Sequence, residues 1–324
     1  MSNISIILIA YKGIYDNRFI FVVMLTLLYP IMIICNVVLI YIICSERSLH
    51  KPMYILICNL ACINLYGGSG LTPFVVVNIV SGNFQISKSS CLIQLFSVMT
   101  YGGCEIMNLM VMAYDRYISI CFPLHYEKIM SSSKLMKLIA LIWLLPFIRT
   151  GISVLINANL KICGSIIEKV YCDNYSMVKL ACSGNREVNI YGSTVTFFSV
   201  VLPLMIIIYS YIKILMICSK LTQSGQAKAL STCIPHLVAI VNFFIGCSFE
   251  VYQSRFDMSH IPYTLRVVLS LYFLVLSPVL NPILYGVRTQ KIKDIMTQKM
   301  MYILTKVQWQ CIKLNKIQAS THNI

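Results

Sequence analysis

The side chains that could do chemistry in this chain lie inside long apolar runs or at their ends. Glu105 is the one charged residue of the run Cys91–Tyr114. A carboxylate in such a run is costly to bury, so it is expected to face other protein groups and to serve a function. Candidate partners for a buried polar core are Asn36, Asn64 and Asn281 on other runs. The alternative is a protonated glutamate that only stabilises the fold.

A second group of polar residues, Asp115-Arg116-Tyr117, closes the same run. An arginine beside an aspartate can form a local ion pair, or it can reach across to a neighbouring helix. Breaking such a contact is a two-state switch. The tripeptide is common by chance, and it becomes informative because it ends the third apolar run of the chain.

The last apolar run ends in Asn281-Pro282-Ile283-Leu284-Tyr285. Pro282 removes a helical donor and permits a kink, and Asn281 can satisfy the backbone group that this frees. Tyr285 then lies on the same side of the membrane as Arg116, and its side chain can change orientation. The alternative is a plain kinked helix without a switching role.

Enzyme chemistry and metal binding are not expected. The sequence holds no nucleophile beside a base, no metal-ligand cluster and no phosphate-binding loop, so we predict no catalytic residue, no cofactor and no metal. The net charge of +15 is spread between the apolar runs and forms no basic stripe. A nucleic-acid partner is therefore not expected either.

The elements that must position these residues are membrane spans. The chain of 324 residues is 58% hydrophobic and 11% charged, whereas a soluble domain has roughly 25% charged residues. A spanning helix needs about 20 mostly apolar residues. The segments that qualify are Phe19–Cys44, Tyr54–Val80, Cys91–Tyr114, Leu138–Ile156, Val188–Ile212, Ala229–Phe249 and Val267–Val287.

The predicted fold class is an all-α membrane protein, a seven-transmembrane helix bundle with a short amphipathic eighth helix. Residues 1–18 form an extracellular N-terminus, 19–287 the transmembrane domain, and 288–324 the amphipathic helix and cytoplasmic tail. Residues 288–302 alternate basic and apolar positions at helical spacing, which predicts a helix lying on the inner lipid surface.

Basic residues predict the orientation. With the N-terminus outside, inner segments hold sixteen Lys and Arg residues and outer segments hold eight. This asymmetry favours a multi-pass protein with its N-terminus outside and its C-terminus inside. Arg149 and Arg266 are expected near helix ends and count toward neither side. The tripeptide at Asn3 is then a candidate glycosylation site on the outer side, and Asn174 is a weaker one.

Four cysteines lie on the outer side: Cys91 at the start of the third span, and Cys163, Cys172 and Cys182 in the long segment after the fourth. The outer compartment oxidises thiols. A bridge from Cys91 would hold the long segment over the helix ends. Four cysteines allow three pairings, and spacing alone does not choose among them.

The motifs resemble those of rhodopsin-like G-protein-coupled receptors, and more narrowly those of odorant receptors. The broad resemblance rests on Asp115–Tyr117, Trp143, Pro203 and Asn281–Tyr285. The strings that resemble odorant receptors are Leu49–Tyr54, Met112–Cys121, Pro123–Tyr126, Ser210–Tyr211 and Lys228–Leu237. Two further strings, Tyr191–Gly192 and Gly286–Thr289, look like the fish-type branch.

The resemblance implies an odorant-activated receptor of the plasma membrane that couples to a stimulatory, olfactory-type heterotrimeric G protein. It implies disulfides Cys91–Cys172 and Cys163–Cys182, and a role for Arg116 and Tyr211 in G-protein coupling or the linked helix movement. It also implies that Glu105 belongs to a polar cluster below the ligand. The sequence departs from the family at Asn64, where odorant receptors usually have Asp, and this weakens any sodium site.

The ligand pocket is predicted between the outer halves of the third, fifth and sixth spans, because small-ligand sites are concave and mostly apolar. The alternative for each residue is plain helix packing. The candidate pocket residues are Val98, Met99, Gly102, Ser199, Phe244, Cys247, Ser248 and Val251.

Residue types that the spans lack exclude some classes of ligand, and one competing class of receptor remains. The seventh span has no Lys for a retinal Schiff base, and Cys91–Cys104 has no Asp for an amine. The realistic competing function is a non-olfactory rhodopsin-like receptor for another small ligand. A transporter or channel is less favoured because internal repeats and multiple intramembrane charges are lacking.

Overall fold

The computed structural model describes residues 5–182, 186–256, 258, 260–299, 301 and 305–306. Within these residues, seven helices are long and apolar enough to cross a membrane, which confirms the predicted seven-helix bundle. They are α1 Arg18–Ser45, α2 Pro52–Ser81, α3 Lys88–Cys121, α4 Ser132–Asn159, α5 Ile190–Cys218, α6 Gln223–Arg255 and α7 Tyr263–Gly286.

Local sequence explains several of the helix ends. The hydroxyl of Ser87 accepts a hydrogen bond from the backbone N–H of Ser90 at 3.1 Å and caps α3. Pro52 occupies the first turn of α2, where its missing N–H costs nothing. The same helix ends at Gly82, whose φ of 64° is a conformation that a residue with a side chain rarely adopts.

The bundle places its apolar side chains outward as well as inward, as expected of helices in lipid. Phe19 is 77% exposed and Leu155 is 66% exposed. The most apolar stretches of α3 and α7 are each 61% buried, whereas that of α4 is 22% buried. The central helices are therefore α3 and α7, and these carry Glu105 and Asn281.

A small sheet lies at the end of the bundle that carries Cys91, the end that is predicted to face outward and is called the outer end. This sheet was not expected from the sequence. Strand β1, Ser5–Leu8, pairs antiparallel with β2, Gln85–Ser87, and parallel with β3, Ile166–Ile167. Ile6 and Leu8 of β1 are fully buried. The start of the chain is thereby tied to the segments that enter α3 and follow α4. Asn3, the predicted glycosylation site, lies outside the described residues.

Two disulfides fix the long outer segment. Cys91 is bonded to Cys172 and Cys163 to Cys182, the pairings that the family resemblance implies. The backbone N–H of Cys172 also donates to Oε1 of Gln94 at 3.1 Å. The segment therefore lies across the outer opening of the bundle.

At the inner end, a helix at 290–299 follows α7 inside the predicted range 288–302. Residues 300 and 302–304 lie outside the described part of the chain. The ammonium of Lys299 pairs with Glu46 at 2.9 Å, and that of Lys291 donates to the carbonyl of Ser48 at 2.7 Å. These contacts attach the helix to the loop between α1 and α2.

Candidate functional site

A cavity of about 210 Å³ lies between the outer halves of α3, α4, α5 and α6. This volume lies below the roughly 300–1,000 Å³ that small-molecule sites commonly enclose, so the cavity can hold only a small ligand. Helix α3 contributes one wall, and the outer segment contributes the roof. The structure brings six of the eight predicted pocket residues to this cavity: Val98, Met99, Gly102, Ser199, Cys247 and Val251.

Phe244 and Ser248, which were also predicted to line the pocket, do not line this cavity. Phe243 and Glu250 line the cavity instead. Residues three and four apart share one face of a helix, so the sequence alone is compatible with either Phe243 or Phe244 beside Cys247, and the rotation of α6 in the bundle selects Phe243. The ring of Phe244 packs edge-on against that of Phe243 at 5.6 Å, and Ser248 is exposed.

Sequence reasoning missed a charged cluster at the outer end of the cavity. The ammonium of Lys169 lies 3.0 Å from Glu250 and 3.3 Å from Asp173. Burial opposes its charge, but the two carboxylates outweigh burial and raise the pKa of Lys169. Burial likewise opposes ionisation of Asp173, and Lys169 with two hydroxyl or amide donors lowers its pKa overall. The cluster ties the outer segment to α6.

A second charge in the cavity belongs to Arg149. It lies well inside α4, so the placement near a helix end was wrong, because α4 continues to Asn159. Its guanidinium donates to the hydroxyl of Ser199 and, at 3.4 Å, to the carbonyl of Met99. Its buried Nε has no partner among the described residues.

Below the cavity, the four residues of the predicted polar core meet in one hydrogen-bonded chain. The amide of Asn281 donates to Oε1 of Glu105 at 2.9 Å and approaches Oδ1 of Asn64 at 3.4 Å. Asn64 donates to Oδ1 of Asn36 at 3.1 Å, and Asn36 donates to the carbonyl of Pro278 at 3.0 Å. Four helices are joined at this level.

At the inner end of α3, the local ion pair between Asp115 and Arg116 is not formed. Asp115 instead accepts a hydrogen bond from the hydroxyl of Tyr126 at 2.7 Å. Tyr126 belongs to a single-turn helix after α3, so the aspartate anchors the inner loop. The ring of Tyr117 packs edge-on against Phe122 at 5.7 Å. Arg116 is left free to interact with other helices.

The inner ends of α3, α5 and α6 meet at His236. Its Nε2 lies 3.1 Å from the carbonyl of Leu109. A carbonyl only accepts, so Nε2 carries the proton and Nδ1 accepts from the hydroxyl of Tyr211. The guanidinium of Arg116 lies close enough to Tyr211 and His236 to interact with them electrostatically, and the buried Tyr285 lies close enough to Tyr211. Arg116, Tyr211 and Tyr285 were predicted as switch residues, whereas the role of His236 was not.

The fold and these two sites define a class of protein, the rhodopsin-like seven-helix receptors. The crystal structure of squid rhodopsin superposes with a TM-score of 0.72 at 19% sequence identity, covering 90% of this chain and 87% of that one. At this identity the likeness establishes the fold.

Sequence comparison assigns the family. The olfactory receptor family model matches residues 25–303. Olfactory receptor 51E1 of Homo sapiens is 34% identical over 293 residues, which are 89% of this chain and 91% of that protein. Olfactory receptor 1 of Rattus norvegicus is 33% identical over 283 residues, with coverage of 87% and 89%. The chain belongs to the olfactory receptor family, and it is an odorant-activated, G-protein-coupled receptor of the plasma membrane rather than an enzyme.

Proposed function

We propose that this receptor binds its odorant in the outer cavity and activates a stimulatory heterotrimeric G protein at the end of the bundle that holds Arg116. The observation that carries this proposal is that one helix, α6, contributes residues both to the cavity and to the hydrogen bonds at the inner end of the bundle. Phe243 and Cys247 line the cavity, and His236 on the same helix bonds to α3 and α5.

The packing of α6 against α7 supports a concerted movement of the two helices. The amide of Asn242 donates to the hydroxyl of Ser277 at 2.8 Å. A Cβ on Gly246 would come within 2.9 Å of the ring of Phe273, so the helices are in close contact at the cavity floor. An odorant that contacts Phe243 or Phe273 therefore affects the positions of both helices. It stabilises the arrangement of α6 and α7 that it fits better.

We further propose that the N-terminus faces outward and that the inner end contacts lipid through its basic helix. The excess of basic residues in the inner segments supports this orientation. Disulfides Cys91–Cys172 and Cys163–Cys182 lie at the opposite end, where an oxidising compartment would form them. Lys291 and Lys299 on the 290–299 helix lie beside the α1–α2 loop, a position suited to acidic lipid headgroups.

The proposal is tested with a cyclic-AMP reporter in cells that express the receptor and a stimulatory olfactory-type G protein. A panel of odorants is applied to the wild type and to Arg116→Ala, with surface expression measured for both. We expect a dose-dependent response that the variant loses at equal surface expression. A response that survives in Arg116→Ala would contradict the proposed coupling site, and a rise in calcium without cyclic AMP would contradict the stimulatory class.

A further inference from the structure

We propose that the cavity selects a small organic anion, a monocarboxylate with an apolar tail, and that Arg149 pairs with its carboxylate. This inference rests on the proposed function for the location of the site and goes beyond it in naming the ligand's chemistry. The observation behind it is that the two carboxylates lining the cavity pair with Lys169, whereas Arg149 has no carboxylate partner among the described residues.

Arg149 is a cation without a counter-ion. Among the described residues, no carboxylate lies within ion-pair distance of its guanidinium. Its hydrogen bonds go to two neutral acceptors, the Ser199 hydroxyl and the Met99 carbonyl, and the buried Nε has none. An unpaired charge inside a membrane span is costly, and such residues usually pair with another charge or serve a ligand.

The other charges of the cavity do not supply the missing anion. Asp173 and Glu250 are both engaged by Lys169 at the outer end. Arg255 adds a further positive charge and stacks on the ring of Tyr175 at 4.5 Å. Among the described residues, the lining therefore holds three cations against two carboxylates, and the surplus charge is positive. A neutral ligand would leave this surplus uncompensated, and a cationic ligand would increase it.

Arg149 is held in place by its surroundings, as a recognition group must be. A Cβ on Gly103 would lie 2.8 Å from Nη2 of Arg149, so the absence of a side chain there lets the guanidinium reach the backbone of α3. The bond to Ser199 joins it to the π-helical turn Phe197–Val201 of α5. A planar guanidinium fixed on two sides presents its remaining donors in one direction, which suits a carboxylate.

The rest of the lining defines the tail. Apolar residues dominate the wall around Arg149 and leave room for a short hydrocarbon chain or a small ring. They include Val98, Ile106, Val195, Val200, Phe243 and Phe273. A polar group distant from the carboxylate would have few partners there, so dicarboxylates and sugars are disfavoured.

A similar excess of positive charge lines a neighbouring cavity. A second cavity opens at the outer surface beside the first and shares Lys169 and Arg255 with it. Lys179 and Arg266 add positive charge to its lining. Among the described residues that line it, Glu168 is the one acid, and it pairs with Arg266 at 3.2 Å. A cavity with an excess of one sign of charge raises the local concentration of ligands of the opposite sign.

The test measures binding directly, on the purified full-length receptor in detergent, by the ligand-induced rise in its melting temperature. The probes are sodium salts of short straight-chain, branched and aromatic monocarboxylates, beside the corresponding methyl esters, primary alcohols and primary amines. The receptors are the wild type, Arg149→Gln, Arg149→Lys and the control Arg18→Gln, which removes an arginine outside the cavity.

We expect at least one monocarboxylate to stabilise the wild type and Arg18→Gln, with its ester and amine inactive. Arg149→Gln should bind that acid about 10- to 100-fold more weakly, since one charge-assisted hydrogen-bond pair is lost. Arg149→Lys keeps the charge and should bind with an intermediate affinity.

Two outcomes would overturn the inference: stabilisation by esters, alcohols or amines but by no carboxylate, or equal affinity of wild type and Arg149→Gln for the acid. If Arg149→Gln does not fold, the comparison of acid with ester on the wild type still decides. Carboxylate binding without G-protein activation would contradict the proposed function and leave this inference standing. A cyclic-AMP response to neutral odorants alone would support the proposed function and contradict this inference.

Discussion

Tyr211 donates a hydrogen bond to Nδ1 of His236, and Nε2 of the same imidazole donates to the carbonyl of Leu109. One neutral histidine thereby connects α5 to α6 and α6 to α3 at the inner end of the bundle. Any outward movement of α6 that opens a site for a G protein has to break the bond to Leu109.

We expect loss of this histidine to favour the open arrangement. His236→Leu removes both hydrogen bonds, and a bond worth about 1 kcal/mol shifts a two-state equilibrium roughly 5-fold. Basal cyclic AMP should therefore rise by up to roughly 25-fold in His236→Leu, which loses both bonds, and by roughly 5-fold in Tyr211→Phe, which loses one. Tyr209→Phe is the matched control for Tyr211→Phe, because Tyr209 lies on the same helix, α5, and is exposed. Lower basal signalling in His236→Leu would show that the bonds hold the active arrangement.

The bond between Asn281 and Glu105 stabilises the centre of the bundle. Glu105→Gln retains an acceptor for the Asn281 amide, whereas Glu105→Leu leaves that amide with only the 3.4 Å contact to Asn64. We expect Glu105→Leu to cost about 1–3 kcal/mol, the penalty for a buried polar group without a partner, and Glu105→Gln to cost less. Thermal unfolding of the purified receptor measures both. Equal melting temperatures would contradict the role of this hydrogen bond.

The disulfide between Cys91 and Cys172 is expected to act as a unit. Removing a native disulfide commonly costs about 2–5 kcal/mol. Cys91→Ala, Cys172→Ala and the double variant should therefore lose surface expression to the same extent, since each breaks the same bond. Flow cytometry with an N-terminal tag measures the loss. An additive loss in the double variant would show that the two cysteines contribute separately.

The cluster of Lys169, Asp173 and Glu250 makes a prediction about pH. The pKa of Lys169 is raised in the fold, so its stabilisation is present below the unfolded pKa and is lost as pH rises through the folded value. The pKa of Asp173 is lowered, so its stabilisation is present above the unfolded pKa and is lost as pH falls through the folded value. Between these limits the cluster adds no pH dependence.

Lys169→Met should create a pH dependence where the wild type has none. Two buried carboxylates then lack a counter-charge, and burial favours their protonated forms. The melting temperature of the variant should rise as pH falls from about 8 to about 5, while the wild type changes little over this range. Lys179→Met, at an exposed position of the same segment, is the control. A flat profile for Lys169→Met would contradict the account of the cluster.

The sequence predicted the spanning helices well because lipid imposes a length and an apolar composition that can be read directly. The polar core could be named because Asn36, Asn64, Glu105 and Asn281 are rare polar residues inside apolar runs. The disulfide pairing came from family resemblance, since spacing allowed three pairings. The outer sheet escaped notice because β1 holds only four residues and pairs with segments distant in sequence.

The ligand cavity was harder to predict, since its residues meet only after the helices are rotated and packed. Phe244 was chosen over Phe243 because the sequence does not show which face of α6 turns inward. Lys169 and Glu250 come together from positions 81 residues apart, and no local pattern connects them. Arg149 could have been recognised as a lone cation in an apolar span, by the same reasoning that identified Glu105.

The most direct test of ligand-driven signalling from the outer cavity compares the two neighbouring phenylalanines of α6. Dose–response curves for an activating odorant are recorded with the cyclic-AMP reporter for wild type, Phe243→Ala and Phe244→Ala at matched surface expression. We expect Phe243→Ala to raise the half-maximal concentration at least about 10-fold, since an aromatic wall of the cavity is lost, and Phe244→Ala to change it little. The opposite ranking, or unchanged curves for both variants, would contradict the assignment of this cavity as the odorant site.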